Sequence, residues 1–396
     1  MANIPASDNV VRVKLIDTST AMVGDMTAFA RPVVAGHEVI NFCSLAFLLE
    51  NEKLGKKALF DLGTRKDYWK LPKAVLQLIG KGCVIFGMRV DEGIDEVLTK
   101  GGVDLNTVGE CTDCCIWSHA HFDHRGDMAL FPKSTKLVMG PGYLSDKERP
   151  GGVGDPEAAA EFEGRPLEEA KFDTGLMIGK FRAQDFFGDG SLYLLDAPGH
   201  QPEHICALAR TTPSSAPGGA SFVFLGGDIC HFAGVFRPTA DTPLPKEIPA
   251  SAISLRNDWA SRSVCPCSFF TPHHPRAKDE DSARTSSWYN LPDGGHVYTD
   301  LEKASASVSR MSELDTRDDV MVCLAHDASL LDVLPVFNKD PDRDINDWKK
   351  EGWKATTYWS WLNEVAVDGK KPREPVVDGF WKDGKQWDFE AYKSSL

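Results

Sequence analysis

Cys115-Ile116-Trp117-Ser118-His119-Ala120-His121-Phe122-Asp123-His124-Arg125-Gly126-Asp127 is a short apolar run that breaks at once into a dense polar segment. The apolar residues predict a buried strand and the polar residues a loop loaded with chemistry. Two histidines one residue apart point the same way from extended chain. Asp123 and His124 then fall on the turn that follows. Four ligand-type side chains within six residues exceed what one tetrahedral ion can use together with partners from elsewhere. The arrangement points to two metals.

The same theme recurs further along. Ser221–Leu225 is an apolar run that ends in Gly226-Gly227-Asp228, and Val320–Leu324 ends in Ala325-His326-Asp327. Leu192–Leu195 leads on to Ala197-Pro198-Gly199-His200, where Pro-Gly makes a turn that exposes the imidazole. A lone histidine after a strand is more often a satisfied polar residue than a ligand. The set His119, His121, Asp123, His124, His200, Asp228 and His326 is another matter. It suits zinc and is open to iron or manganese. Chemistry placed where strand ends meet loops is the usual site arrangement on an α/β scaffold.

Around these motifs, Val10–Ile16 alternates apolar with polar, and Ser44–Glu50 and Lys57–Asp61 flank a polar stretch, which predicts a hairpin. Asp91–Lys100 predicts a helix stopped by Gly101-Gly102. Thr299 with Glu302 reads as a capping box opening a helix to Leu314. Residues 145–175 read as a surface excursion with a helical turn at 156–163. Residues 232–298 are rich in Pro and Ser and too long for an ordinary connection, so they read as a functional or disordered segment. The C-terminal tryptophans Trp348, Trp353, Trp359, Trp361, Trp381 and Trp387 read as a buried layer.

Composition narrows the function. The 396 residues carry 44 Lys+Arg against 58 Asp+Glu, a formal charge of −14, which disfavours nucleic acid and an anionic membrane surface as partners. A hydrophobic share of 42% with 26% charged residues is that of a globular protein, not a disordered one. No apolar run reaches the roughly eighteen residues that span a bilayer, and the N-terminus lacks the basic and apolar regions of a secretory signal. A cytoplasmic location with reduced thiols follows as the expectation. Cys111-x-x-Cys114-Cys115 has no second pair at zinc-finger spacing and reads as buried strand thiols. His273-His274 read as exposed, and His204 as a helix neighbour that supports His200. His37 and His296 carry no signal.

His119-Ala-His-Phe-Asp-His124 resembles the HxHxDH signature of the metallo-β-lactamase superfamily, and the order of His200, Asp228 and His326 matches over residues 10–330. The resemblance implies an α/β fold, an αββα four-layer sandwich with a dinuclear site at one edge of the two sheets. It implies that His119, His121 and His200 hold a first zinc ion. Asp123, His124 and His326 would hold a second, and Asp228 would bridge them. The gap from Asp228 to His326 is long for the family, which implies an inserted lid, 232–298, within a single domain spanning 1–396. An acidic bridging residue is generally lacking in the antibiotic-hydrolysing members, so its presence points to the lactonase, glyoxalase II and thioesterase side. Gly227-Asp-Ile-Cys-His-Phe232 and Ala325-His-Asp-Ala-Ser-Leu-Leu331 look like a fungal branch that opens lactone or lactam rings, cyclic carbamates included.

The expectation is a metal-dependent hydrolase of a small-molecule cyclic ester or amide. Asp123 would carry the proton to the leaving group. His231, three residues after Asp228, stands where lactonase members place an aromatic hydroxyl and can donate the same hydrogen bond. A thioesterase of the glyoxalase II type and a mononuclear-iron oxygenase acting on a sulfur substrate are the alternatives.

Overall fold

Alternation along each strand decides which layer its side chains enter. A computed structural model describes residues 4–105, 114–256, 261–294 and 297–396. Two six-stranded sheets face each other. The first runs, in spatial order, Arg12–Asp17, Leu45–Asn51, Lys56–Phe60, Cys114–Ile116, Lys136–Met139 and Leu167–Glu169. The second runs Met177–Ile178, Phe181–Asp185, Leu192–Asp196, Ile205–Thr212, Ser221–Leu225 and Val320–Cys323.

Leu45, Phe47, Leu49, Phe60 and Ile116 of the first sheet meet Leu192, Leu194, Val223, Leu225 and Met321 of the second in one buried core. The intervening residues Ala46, Leu48, Leu59 and Cys115 turn outward against the helix Ile94–Lys100, through Ile94, Val97 and Leu98. On the far side Phe222, Phe224 and Val322 pack under the helix Leu301–Asp315, through Ala304, Val308 and Met311. Strands covered on both faces read as continuous apolar runs, which is what Ser221–Leu225 and Val320–Cys323 show. The αββα layering is the expected one.

The expected hairpin forms between Leu45–Asn51 and Lys56–Phe60. The helix expected at 299–314 starts later than the capping box suggested. Asp300 caps it, accepting from the Lys303 amide, while the Thr299 amide donates to the His200 carbonyl at 3.1 Å. A third sheet was not foreseen. It comprises Lys385–Trp387, Phe380–Lys382, Ile85–Val90, Thr20–Asp25 and Val39–Phe42.

Residues 232–298 form short elements, among them the paired strands Glu247–Pro249 and Val264–Pro266 and the helix Glu280–Thr285. Their apolar side chains, such as Phe236, Phe270, Trp288 and Tyr289, are drawn into the core beneath the second sheet. Here the structure departs from the lid expectation. Among the described residues of this segment only Val297 lines the cavity over the site, and the walls come largely from residues 71–85 and 146–150. Aromatic and branched side chains gain more by filling the core than by covering an open mouth. His274 is likewise buried, its Nε2 donating to the Ser286 carbonyl, which corrects the expectation of exposure. Cys114 and Cys115 are buried on their strand, and Cys111 and His296 lie outside the described residues.

Strand direction sets the position of the chemistry. Lys56–Phe60 and Cys114–Ile116 are parallel. Leu192–Asp196 and Ser221–Leu225 are each antiparallel to Ile205–Thr212, and Val320–Cys323 is parallel to Ser221–Leu225. Within each sheet these strands therefore end on a common edge, and Asp61, His119, His200, Asp228 and His326 all follow such an end.

Candidate metal centre

The residues picked out along the chain converge at that edge. His119, His121, His200 and Asp228 form one group, and Asp123, His124, Asp228 and His326 another, with the ligand atoms of each within 4.8 Å of one another. The His200 Nε2 lies 3.0 Å from both the His119 Nε2 and the His121 Nδ1. In the other group the Asp123 Oδ2 lies 3.5 Å from the His326 Nε2 and 3.7 Å from the His124 Nε2. Asp228 stands between. Its Oδ2 is 3.4 Å from the His200 Nε2 and 3.6 Å from the His119 Nε2, whereas its Oδ1 is 3.0 Å from the His326 Nε2 and 3.1 Å from the His124 Nε2. Each carboxylate oxygen thus faces one group.

This donor set fits a pair of cations. The His124 Nε2 and the Asp228 Oδ1 are buried without a hydrogen-bond partner, a costly state for polar atoms that an ion relieves. The His200 Nε2 has one proton or one lone pair for two imidazole nitrogens at 3.0 Å, so a cation among the three satisfies them better than hydrogen bonds can. Burial first, and neighbouring imidazoles second, hold His119 well below the ordinary histidine range, and His200 is lowered for the same reasons. Both are therefore neutral, the form that ligates. His124 goes the other way: burial opposes its charge, but Asp228, Asp61 and Asp123 outweigh that and raise it well above the ordinary value. Opposite burial, His124, His326 and His231 hold Asp228 well below the carboxylate range.

Hydrogen bonds on the outer ring nitrogens fix which nitrogen points inward. His326 donates from Nδ1 to the Cys43 carbonyl at 2.6 Å, and His124 from Nδ1 to the Asp61 carboxylate at 2.8 Å. Each leaves Nε2 free for an ion. His204, whose pKa burial pushes down to about 3, donates from Nδ1 to the Ala197 carbonyl and accepts the Asp228 amide on Nε2. It lies in the turn before the strand Ile205–Thr212 and not on a helix, yet it anchors the Asp228 backbone. Gly227 adopts a φ of +50°, and a Cβ there would fall 2.7 Å from the Ser118 Cβ, so the two strand ends approach closely only through glycine.

His231 lies at the same point. Its Nε2 is 3.1 Å from the Asp228 Oδ2, its Nδ1 2.9 Å from the Tyr298 hydroxyl, and its ring stacks on His326 at 5.3 Å. Two residues here escaped the sequence reading. Asp61 also ends an apolar strand, and that recurring signal could have found it. Tyr298 carries no local signal, because it arrives from the tail of the long 232–298 segment.

A cavity of ≈ 790 Å³ opens over the centre, lined by Asp123, His200, Asp228, His231 and His326 at its base and by Phe29, Phe42, Leu71, Val75, Ile79 and Ile85 along its sides. Arg125 and Arg149 also line it, but each pairs with a carboxylate, Arg125 with Glu161 at 2.9 Å and Arg149 with Glu203 at 2.9 Å.

No protein-family model matches the chain. It is 35% identical over 371 residues to the metallo-hydrolase mfmC of Annulohypoxylon moriforme, covering 91% of this chain and 89% of that protein. It is 35% identical over 373 residues to the γ-lactamase FDB1 of Fusarium pseudograminearum, covering 92% of this chain and 84% of that protein. Among solved structures, an N-acyl homoserine lactone hydrolase with N-hexanoyl-L-homoserine bound at its catalytic metal centre superposes with a TM-score of 0.50 at 16% identity, over 83% of this chain and 98% of that one. That likeness concerns the fold.

Proposed function

The chain belongs to the metallo-hydrolase and γ-lactamase family of the metallo-β-lactamase superfamily and is a metal-dependent hydrolase, and from that premise we propose that it opens a small γ-lactam or lactone ring with two zinc ions. The observation that carries this reading is Asp228, whose two oxygens face two separate ligand groups. His119, His121 and His200 would hold one ion, and Asp123, His124 and His326 the other. Mixed imidazole and carboxylate donors favour zinc, with iron or manganese next. When bound, such a pair acidifies water and polarises a carbonyl.

The chain's own residues do the rest. The His231 Nε2, 3.1 Å from the Asp228 Oδ2 and backed by the Tyr298 hydroxyl at the opposite nitrogen, would donate a hydrogen bond to the substrate carbonyl once Asp228 holds the ions. Asp123, which lines the cavity, would carry a proton to the departing ring nitrogen or oxygen. The apolar cavity sides exclude water and suit an uncharged ring with an apolar substituent. A glutathione- or CoA-type thioester would need free cations at the mouth, and Arg125 and Arg149 are already paired with Glu161 and Glu203. No helix among the described residues is long and apolar enough to cross a membrane. The described cysteines are free, which fits work on a small molecule in a reducing, cytoplasmic compartment.

The test offers the purified, zinc-loaded protein γ-lactams, lactones and thioesters, with and without chelator, and reads proton release for the esters and loss of the ring by chromatography for the lactams, whose freed amine takes up the proton. Chelator-sensitive opening of a lactam or lactone is expected. Thioester cleavage alone would replace this reading with a glyoxalase II type. Oxygen uptake with a sulfur compound, and no ring opening, would move it to the iron oxygenases.

A further inference from the structure

Residues 71–85 form one side of the cavity and have little structure of their own. Their regular element is a single helical turn, Lys73–Leu76. Leu78, at the rim, is 69% exposed. The side chains of Val75, Ile79, Val84 and Ile85 face the cavity. Leu71, Leu76, Ile79 and Ile85 anchor this wall by burial, and the exposed positions between them, 77–78 and 81–82, are the part that needs a hold from outside.

The opposite surface of the wall is gripped by the C-terminal helix Phe389–Ser395. The Lys393 Nζ donates to the Ile79 carbonyl at 2.6 Å and to the Gln77 carbonyl at 3.1 Å, and it lies 3.6 Å from the Cys83 Sγ, which itself donates to the Gln77 carbonyl. Glu390 accepts the Lys81 amide on Oε1 at 2.5 Å. Gly80 adopts a φ of +113°, and a Cβ there would fall 2.6 Å from the Glu390 Oε1, so the wall and the helix touch backbone to side chain. The Tyr392 hydroxyl donates to the Trp69 carbonyl at 2.8 Å, and Phe389, which is buried, stacks on Phe380 at 4.2 Å. Ile79 therefore gives its side chain to the cavity and its carbonyl to Lys393.

We propose that Lys393 and Glu390 are positioning residues for specificity. By fixing the backbone of 77–81 from behind, they set the depth of the apolar side of the cavity and hence how strongly the enzyme selects rings that carry an apolar substituent. The proposal rests on the ring-opening reading for its substrate, but not for its structural arm. Neither residue lines the cavity or approaches the metal centre, so a bare ring bound at the floor does not depend on them.

The experiment compares Lys393→Met, which keeps the apolar stem and loses the donor, and Lys393→Arg, which keeps a donor, with the parent protein. Each is zinc-loaded and given an unsubstituted γ-lactone and the same ring carrying an alkyl chain. Losing a charged hydrogen bond to a carbonyl predicts a KM rise of about tenfold for the alkylated ring in Lys393→Met. KM for the bare ring, kcat for both rings and metal content should hold, and Lys393→Arg should recover most of the loss. Hydrogen exchange at amides 77–85 should quicken in Lys393→Met while 114–126 stay as they were. Equal shifts for both rings, no shift for either, or unchanged exchange at 77–85 would overturn the proposal. If the parent opens neither ring, the function reading falls, and exchange together with equilibrium binding of the alkylated ring still decides this one.

Discussion

Replacing Asp61 by Asn should weaken one metal position and spare the other. Asp61 is buried and accepts three hydrogen bonds. The Ser118 amide donates at 2.7 Å to one carboxylate oxygen, and the Ser118 hydroxyl and the His124 Nδ1, each at 2.8 Å, donate to the other. Asn keeps the volume and one acceptor but puts an amide N–H group where the second oxygen stood. The Ser118 hydroxyl, which also meets the His119 Nδ1 at 3.1 Å, can accept from the amide on its second lone pair and keep that contact. His124 cannot adapt without moving its proton to Nε2, the atom that faces Asp228 and Asp123. Either a buried Nδ1–H is left unsatisfied or the ligating nitrogen is blocked. Loss of a charged hydrogen bond costs about 1.5–3 kcal/mol, and removal of the partner that orients a ligating histidine weakens a metal by about 10–100-fold. We therefore expect about 30-fold weaker binding at the Asp123/His124/His326 position and no more than about threefold at the His119/His121/His200 position. The assay is competition with a chromophoric zinc chelator at fixed pH, where the parent should fill two positions and the variant should show two separated steps. Equal weakening of both positions, or of neither, in a protein with an unchanged melting profile, would refute the reasoning.

Three further outcomes follow from buried groups. His37 is fully buried, with its Nδ1 3.0 Å from the Tyr289 hydroxyl, and burial pushes it from the ordinary 6.5 down to about 3. Between those values the unfolded chain binds a proton that the folded chain refuses, so stability falls as pH falls through that window. His37→Gln should reduce that slope by about 1.4 kcal/mol per pH unit in urea melts between about pH 6 and pH 4, and an unchanged slope would remove the assignment. Gly227→Ala must strain a φ of +50° and push on Ser118 and His204, so it should cost about 1–3 kcal/mol and lower zinc stoichiometry. A normal melt with full metal content would count against the close approach. Arg237 makes two hydrogen bonds to Asp315, at 2.8 and 2.6 Å, in the core. Arg237→Met should cost about 3–5 kcal/mol, with much of it recovered in Arg237→Met/Asp315→Leu, and a chemical melt that shows neither effect would reject the pair as a stability element.

The candidate metal ligands were legible because their signals are local. His119, His121, Asp123 and His124 lie within one short stretch, and Asp228 and His326 each end an apolar run. The hairpin 45–60 and the helix Ile94–Lys100 were legible because alternation, periodicity and Gly stops act over a few residues. Asp61 carried the same strand-end signal, although its partner His124 is sixty-three positions away in the chain. The third sheet was not legible. Phe380 meets Met88 across about three quarters of the chain, and short strands such as Thr20–Asp25 have no strong pattern.

The amino-acid sequence alone supplied the candidate donor set, because residue type and short spacing are properties of neighbours, and the layering followed from the family resemblance that those residues carry. Tertiary structure alone decided three things that depend on residues far apart in the chain. One is that each oxygen of Asp228 faces a different ligand group, which requires strand ends from both sheets to meet on one edge. Another is that 71–85 walls the cavity while the aromatic segment 232–298 sinks into the core. The last is that Lys393 and Glu390, near the C-terminus, hold that wall. The physical reason is the same in each case. Burial and backbone hydrogen-bond satisfaction are settled by whichever segments come together in space, and a local pattern carries no record of which those are.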